Sequence, residues 1–257
     1  MGRGITNAIQ RFNAGNGEGD YSVRSSLTKD SNMVGMIFVP YDDGQYSVHT
    51  NYAKSNHLIG YDFTPAGMPD VASGFKDAGD ITLSTLMFKA EGVGEEINDF
   101  LDATTLFASY STSKTTPKSG MNMLGETTSK SGNSIWIGAQ MPCLLTEDGR
   151  FGVEYNKGSK YWRSMTYAED TMIGSKIAAR GTALEVYWLK PLTPSLSLNI
   201  RYTKIDYDYT GSNGFFGQAS GTPLKISDVK AGLYGDDIKS KVVESASDFR
   251  FYIRYRF

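Results

Sequence analysis

The 257-residue chain has one cysteine, Cys143, and two histidines, His49 and His57. A single cysteine excludes an intrachain disulfide framework, and Cys143 reads as a buried or lipid-facing thiol without a chemical role. The two histidines lie eight residues apart, with no cysteine or carboxylate set at metal-ligand spacing beside them. They read as ordinary surface or lumen side chains, and no metal or cofactor is expected. Asp42-Asp43-Gly44 looks like the start of a calcium loop, but the remaining ligands are missing, so it reads as a hairpin turn. No nucleophile elbow, phosphate loop or dinucleotide pattern stands between a strand and a helix, and enzyme activity is not expected. No run of about 18 apolar residues occurs, which excludes a transmembrane helix. It does not exclude a transmembrane barrel, whose strands alternate lipid-facing and lumen-facing residues and so have unremarkable mean hydropathy. Lys+Arg 26 against Asp+Glu 28 gives a net charge of −2, so no global field points to nucleic acid. The start, "MGRGITNAIQRFNAGNGEG", has no apolar core segment. Either the chain is not exported or its export signal lies upstream.

What the chain has in quantity is 16 Tyr, 13 Phe and 28 Gly, with much Ser, Thr and Asn. Aromatic and Thr content favours strands. Nine windows alternate with period two: Asn32–Tyr41, Gln45–His57, Asp80–Ala90, Asp99–Thr112, Asn133–Leu144, Phe151–Ser164, Lys176–Leu192, Ser195–Thr210 and Asp248–Phe257. Many reach the roughly 9–11 residues that cross a bilayer at a tilt. Helix is poorly supported, apart from a turn or two in Gly92–Asp102 or Asn7–Phe12. The connections alternate: "DDG", "EGVGEEIN", "LTEDGR" and "TP" are short. Leu58–Gly79, Ser113–Gly132, the "MTYAEDTMIGS" segment and Gly211–Ser247 are longer. Short turns on one side and long loops on the other are the asymmetry of an up-and-down transmembrane barrel.

The strands sort their side chains by face. In the last window Phe249, Phe251, Ile253, Tyr255 and Phe257 share one side, and Arg250, Tyr252, Arg254 and Arg256 the other. Leu196, Leu198, Ile200 and Tyr202 oppose Ser197, Asn199, Arg201 and Thr203. Phe151, Val153 and Tyr155 oppose Gly152, Glu154 and Asn156. An Arg facing lipid costs about 2–4 kcal/mol at the bilayer midplane, so Arg201, Arg250, Arg254 and Arg256 are expected on the lumen side, with Glu154 and Glu185 among their counter-charges. This set is the candidate pore lining. It either favours anions in a water-filled bore or pairs with acids and sets strand register. The first window, with Met33, Val34, Met36, Ile37, Phe38 and Val39, is apolar on both faces. Tyr41, Tyr46, Tyr110, Tyr161, Trp162, Tyr187, Trp188, Tyr207 and Tyr209 are read as an interfacial girdle.

The closing stretch, "DFRFYIRYRF", resembles the C-terminal assembly signal of Gram-negative outer-membrane β-barrel proteins, and the chain resembles the C-terminal portion of porin-like members of that class. The resemblance implies that Phe251, Ile253, Tyr255 and Phe257 dock the barrel-assembly machinery. It also implies a Gram-negative outer-membrane location. The expectation is therefore an all-β, antiparallel up-and-down transmembrane barrel forming one domain over 1–257. Residues 1–31 would be an extracellular loop or partial strand, and 32–257 the barrel strands. Because bacterial single-chain barrels have even strand numbers, nine windows suggest part of a larger barrel, with a tenth strand in Ile5–Phe12 as the other solution. The expected function is a porin-like channel for passive diffusion of small, in particular anionic, solutes. The alternative is a structural, receptor or adhesin-type barrel that displays its loops without transport. Expected partners are a lipid bilayer, the assembly machinery, small solutes and further copies of the chain; nucleic acid is not expected.

Overall fold

The structure is a computed structural model that describes residues 32–61, 75–94, 97–164, 171, 173–211 and 222–256. Nine strands form one antiparallel sheet in chain order: β1 (Asn32–Asp42), β2 (Tyr46–Tyr61), β3 (Phe75–Glu91), β4 (Thr105–Pro117), β5 (Ser131–Pro142), β6 (Arg150–Gly158), β7 (Gly181–Thr193), β8 (Leu196–Tyr207) and β9 (Ser245–Tyr255). Among the described residues, β1 pairs only with β2 and β9 only with β8.

The pairing register fixes the tilt. The rung that starts at Tyr46, at the foot of β2, passes through Ala90, Leu106, Ala139, Val153 and Val186 to Tyr202. Tyr202 lies six residues up β8 from its foot at Leu196. Six residues of climb over the six steps from β2 to β8 is about one residue per strand. With about 3.3 Å of rise per residue and about 4.8 Å between strands, this corresponds to a tilt of about 35°, within the range of transmembrane barrels.

Alternation sets the two faces. On β9 the outward residues Phe249, Phe251, Ile253 and Tyr255 are 58–67% exposed, while Ala246, Asp248, Arg250 and Tyr252 are half-buried. Every residue on the Tyr46–Tyr202 rung faces outward, and above it the outward rows stay apolar, apart from Thr50 on β2, until they end in Lys, Thr, Asn or Ser. On β8 the row Leu196, Leu198, Ile200, Tyr202 ends at Lys204, a rise of about 22 Å at this tilt. That height matches the apolar band of a transmembrane barrel wall.

The structure departs from the sequence reading at strand ends. Asp99–Asp102 is one turn of helix, α1, with the Asn98 side chain accepting from Leu101 N at 2.9 Å, so β4 starts at Thr105. It runs on to Pro117, through residues read as loop. The β3–β4 connection, 92–104, is thus as long as 62–74 and 118–130. β6 stops at Gly158, because the backbone of a later segment crosses there: a Cβ on Gly158 would lie 2.0 Å from the Ala179 carbonyl oxygen. Residues 176–178 form a 3-10 turn instead of a strand, and β7 begins at Gly181. The last connection carries two short helices, α2 (Ile226–Lys230) and α3 (Asp236–Lys239). The "DDG" turn forms as expected: Asp43 Oδ1 accepts from Gln45 N at 3.0 Å and Tyr46 N at 2.6 Å, and Gly44 takes φ +91°. Asn7–Phe12 lies outside the described residues.

Candidate functional site on the inner face

Inward side chains of β5 to β9 converge with one residue from the β6–β7 connection. Glu185 on β7 is fully buried. Its Oε1 lies 2.6 Å from Lys176 Nζ and 2.7 Å from Arg201 Nη1, and its Oε2 accepts from Thr203 Oγ1 at 2.8 Å and Arg250 Nη2 at 3.1 Å. Glu154, directly opposite Glu185 on β6, holds Lys176 Nζ at 2.7 Å and accepts from Trp136 Nε1 at 3.0 Å. Arg250 Nε lies 2.7 Å from Asp248 Oδ2, an ion pair without good hydrogen-bond geometry. The Arg201 guanidinium sits over the Tyr187 ring, 4.6 Å from its centre. Tyr187 fits because Gly152 opposes it across the strands: a Cβ there would lie 2.1 Å from the ring.

Three cations (Lys176, Arg201, Arg250) meet three anions (Glu154, Glu185, Asp248), so the cluster is neutral. Such charges are tolerated in a dry setting only when paired and hydrogen-bonded. Lys176 arrives on a strap, residues 173–180, laid against the inner face. The strap is pinned by Trp162 Nε1 donating to Ile177 O at 2.8 Å, Arg180 Nε donating to Trp162 O at 2.9 Å and Tyr207 OH donating to Ile173 O at 3.3 Å. Ile173 and Ala179 of the strap pack with Ala183 and Ile205 of the strands in a small apolar core.

Of the residues chosen from sequence, Arg201, Arg250, Glu154 and Glu185 are brought together on the inner face. Arg254 shares that face near the foot of β9, exposed, and Arg256 follows the strand. Neither has a recorded acidic partner among the described residues. Phe251, Ile253 and Tyr255 face outward; Phe257 lies outside the described residues. The girdle reading is corrected in part. Tyr41, Tyr46 and Trp188 are outward, but Trp162 is buried under the strap, and Tyr187 and Tyr207 point inward. Cys143 lies in the β5–β6 turn, not in a strand.

Lys176, Asp248, Thr203 and Trp136 were not singled out from sequence as members of the site. Lys176 falls in the seventh alternating window, yet "KIAAR" breaks alternation with three consecutive apolar residues, and that break is the sequence signal for the strap. The structure also pairs His57 Nδ1 with Asp77 Oδ2 at 3.0 Å, joined by Lys118 Nζ at 3.0 Å. Among the described residues no group of three His, Cys, Asp or Glu is placed to hold a metal ion. An open apolar groove of about 670 Å³ lies on the opposite face. Tyr46, Phe88, Leu106, Ile137 and Tyr155 frame it around small Ala90, Ala108 and Ala139. It is apolar and takes no part in the charged site.

A family profile described as "Protein of unknown function (DUF3373)" matches residues 1–257. The chain belongs to that family. No curated protein matches it. A solved structure, "OmpT (in-vitro folded), an outer membrane protein of Vibrio cholerae", is similar at TM-score 0.47 and 10% identity over 88% of this chain. The chain spans 56% of that protein's length. At this level the likeness adds nothing to the fold argument above, which stands on register, tilt and the two-faced sorting of side chains.

Proposed function

We propose that this member of the DUF3373 family forms the wall of an outer-membrane barrel that lets small polar solutes diffuse passively. The observation carrying the proposal is the separation of faces: an apolar outward belt of transmembrane height behind an inner face rich in Ser, Thr, Asn and paired charge. Glu185 and Asp248 together neutralise Arg201 and Arg250, which supports the register-setting role for these two residues over an anion-attracting one. The remaining cationic bias sits at the foot of the barrel, on Arg254 and Arg256, so the channel is mildly anion-preferring at that mouth. Reconstitution into planar bilayers tests this. Stepwise conductance with a reversal potential toward anions in a salt gradient is expected; a silent bilayer from correctly folded protein would refute the channel.

One observation favours the second reading, a barrel that displays its loops without transport. The strap carrying Lys176 lies across the inner face of β6 and β7, as a plug would. If wild-type protein is silent but Lys176→Met conducts, the strap closes the bore and the display reading replaces the passive one.

A further inference from the structure

The outward rows end in a repeated pattern. Tyr52 and Lys54 on β2, Tyr155 and Lys157 on β6, and Tyr202 and Lys204 on β8 are three Tyr-x-Lys triplets, each with both side chains on the outer face. On β4, Tyr110 precedes Lys114 by four residues on that face. The pairing register puts the three triplet lysines at one height and Lys114 two residues above it. Lys54 pairs with Thr82, which pairs with Lys114, which pairs with Ser131 on β5. Lys157 pairs with Ile135 on β5, with Thr182 on β7 and, through it, with Asp206 on β8. Ser131 to Ile135 is a drop of four residues and Asp206 to Lys204 a drop of two, six in all over the six steps from β2 to β8. This is the climb found at the foot of the sheet, so Lys54, Lys157 and Lys204 ring the barrel wall on a level, at the long-loop end of the apolar belt, and Lys114, two strands from β2 but still on the Lys54 rung, stands two residues, about 5 Å, above them.

The tyrosines just below are 37–48% exposed, as rings at headgroup depth are. Lysine ammonium groups at that level reach up to headgroup phosphates. Two outward acids share the ring: Asp80, 3.3 Å from Lys54, and Asp206, 3.1 Å from Lys204. The sector of β4, β5 and β6 has no outward acid at all. Lys114 and Lys157 there are exposed, with no recorded acidic partner among the described residues. Above them Lys130 and Lys160 flank the Tyr161 ring at 5.7 and 5.0 Å, and the nearby Glu126 is engaged by Tyr161 OH at 2.5 Å and Lys130 at 3.4 Å.

We propose that the outward Tyr-x-Lys ring, centred on Lys114 and Lys157, is a binding site for phosphorylated lipid headgroups of the leaflet on the long-loop side. The lipid tails lie on the apolar belt, the tyrosines mark the headgroup plane, and the unpaired ammonium groups take the phosphates. This rests on the membrane-spanning reading of the fold. The test uses the full chain folded in a neutral maltoside micelle, with retained lipid read by native mass spectrometry. The probes are diphosphoryl lipid A, the same lipid with both phosphates removed, and inorganic phosphate. Wild type is expected to retain the diphosphoryl form and neither of the others. Lys114→Gln with Lys157→Gln should weaken retention about 30-fold, the effect of two lysines at an anionic membrane surface. The double Arg variant should keep it. Equal retention of the dephosphorylated lipid overturns the proposal, as does unchanged retention by a double Gln variant that runs as folded barrel, or binding of inorganic phosphate as tight as that of the lipid. A wild-type chain that folds without entering micelles would overturn the membrane-spanning reading beneath it.

Discussion

The inner face has two halves built on different physics. On β2, β3 and β4, below the His57–Asp77–Lys118 ion pairs, it carries Ser47, His49, Asn51, Ala53, Thr85, Ser109 and Ser111, with contacts such as Thr85 Oγ1 to Ser111 Oγ at 2.8 Å. These are neutral pairs worth about 0.5–1.5 kcal/mol each, and each can be lost without stranding a charge. From β6 to β9 the face is a coupled network in which Glu185 alone holds three cations and a hydroxyl. The comparison teaches that polar residues alone do not mark where this wall is fixed. The fixed half is the one where removing a single group leaves buried charge unpaired, and it is also the half the strap covers.

Glu185→Gln should break the contrast most sharply. It leaves Arg201 without an acid and Lys176 and Arg250 with one each, Glu154 and Asp248, and breaking a buried pair costs about 3–5 kcal/mol. Thr85→Ala in the neutral half should cost about 1 kcal/mol. Urea unfolding of both variants in the same detergent checks the ratio; equal costs would show that the two halves do not differ.

Lys176→Met comes next. It removes the ammonium that ties the strap to Glu154 and Glu185, so limited proteolysis should cut within 171–180 faster, and single-channel conductance should rise. Substitutions at Ser47 or Asn51 should change neither measurement.

A smaller effect is expected from Arg254→Ala with Arg256→Ala. Both side chains are exposed, so screening limits their reach to about a Debye length. The reversal potential should move a few millivolts toward cations at low salt and hardly at all at high salt. A preference unchanged at low salt would remove the role given to this mouth.

The smallest change concerns the β1–β2 turn. Asp43 is held below the usual carboxylate range, first by the Tyr41 hydroxyl and then by the backbone amides of Tyr46 and Gln45. An acid depressed in the folded state adds stability above its unfolded value, about 3.9, and that stability is lost as pH falls through the lower folded value. Asp43→Asn should flatten the thermal midpoint between about pH 4 and pH 2 without changing it at pH 7 by more than removal of the turn bonds allows.

Much of the wall was legible in the chain. The windows at β1, β5, β8 and β9 fall close to the observed strands, and the outward placement of Phe251 and Ile253 against inward Arg250 follows from period two alone. The helical turn near Asp102 was visible in Gly92–Asp102. What was not legible has one cause: it depends on contacts between residues distant along the chain. Lys176 looks like the start of a strand until Glu154 and Glu185 are brought beside it. Trp162 looks like a girdle residue until its indole N–H finds Ile177 O. The Tyr-x-Lys triplets are plain in the sequence, but their common height exists only once register and tilt are known.

The sequence by itself determined which side chains share a face and how often the chain turns, because alternation and turn chemistry are local and need no partner. The tertiary structure decided which charges cancel, where the β6–β7 strap lies and which lysines stand level, because Coulomb pairing, close backbone approach at Gly158 and the one-residue climb per strand arise only between strands already side by side.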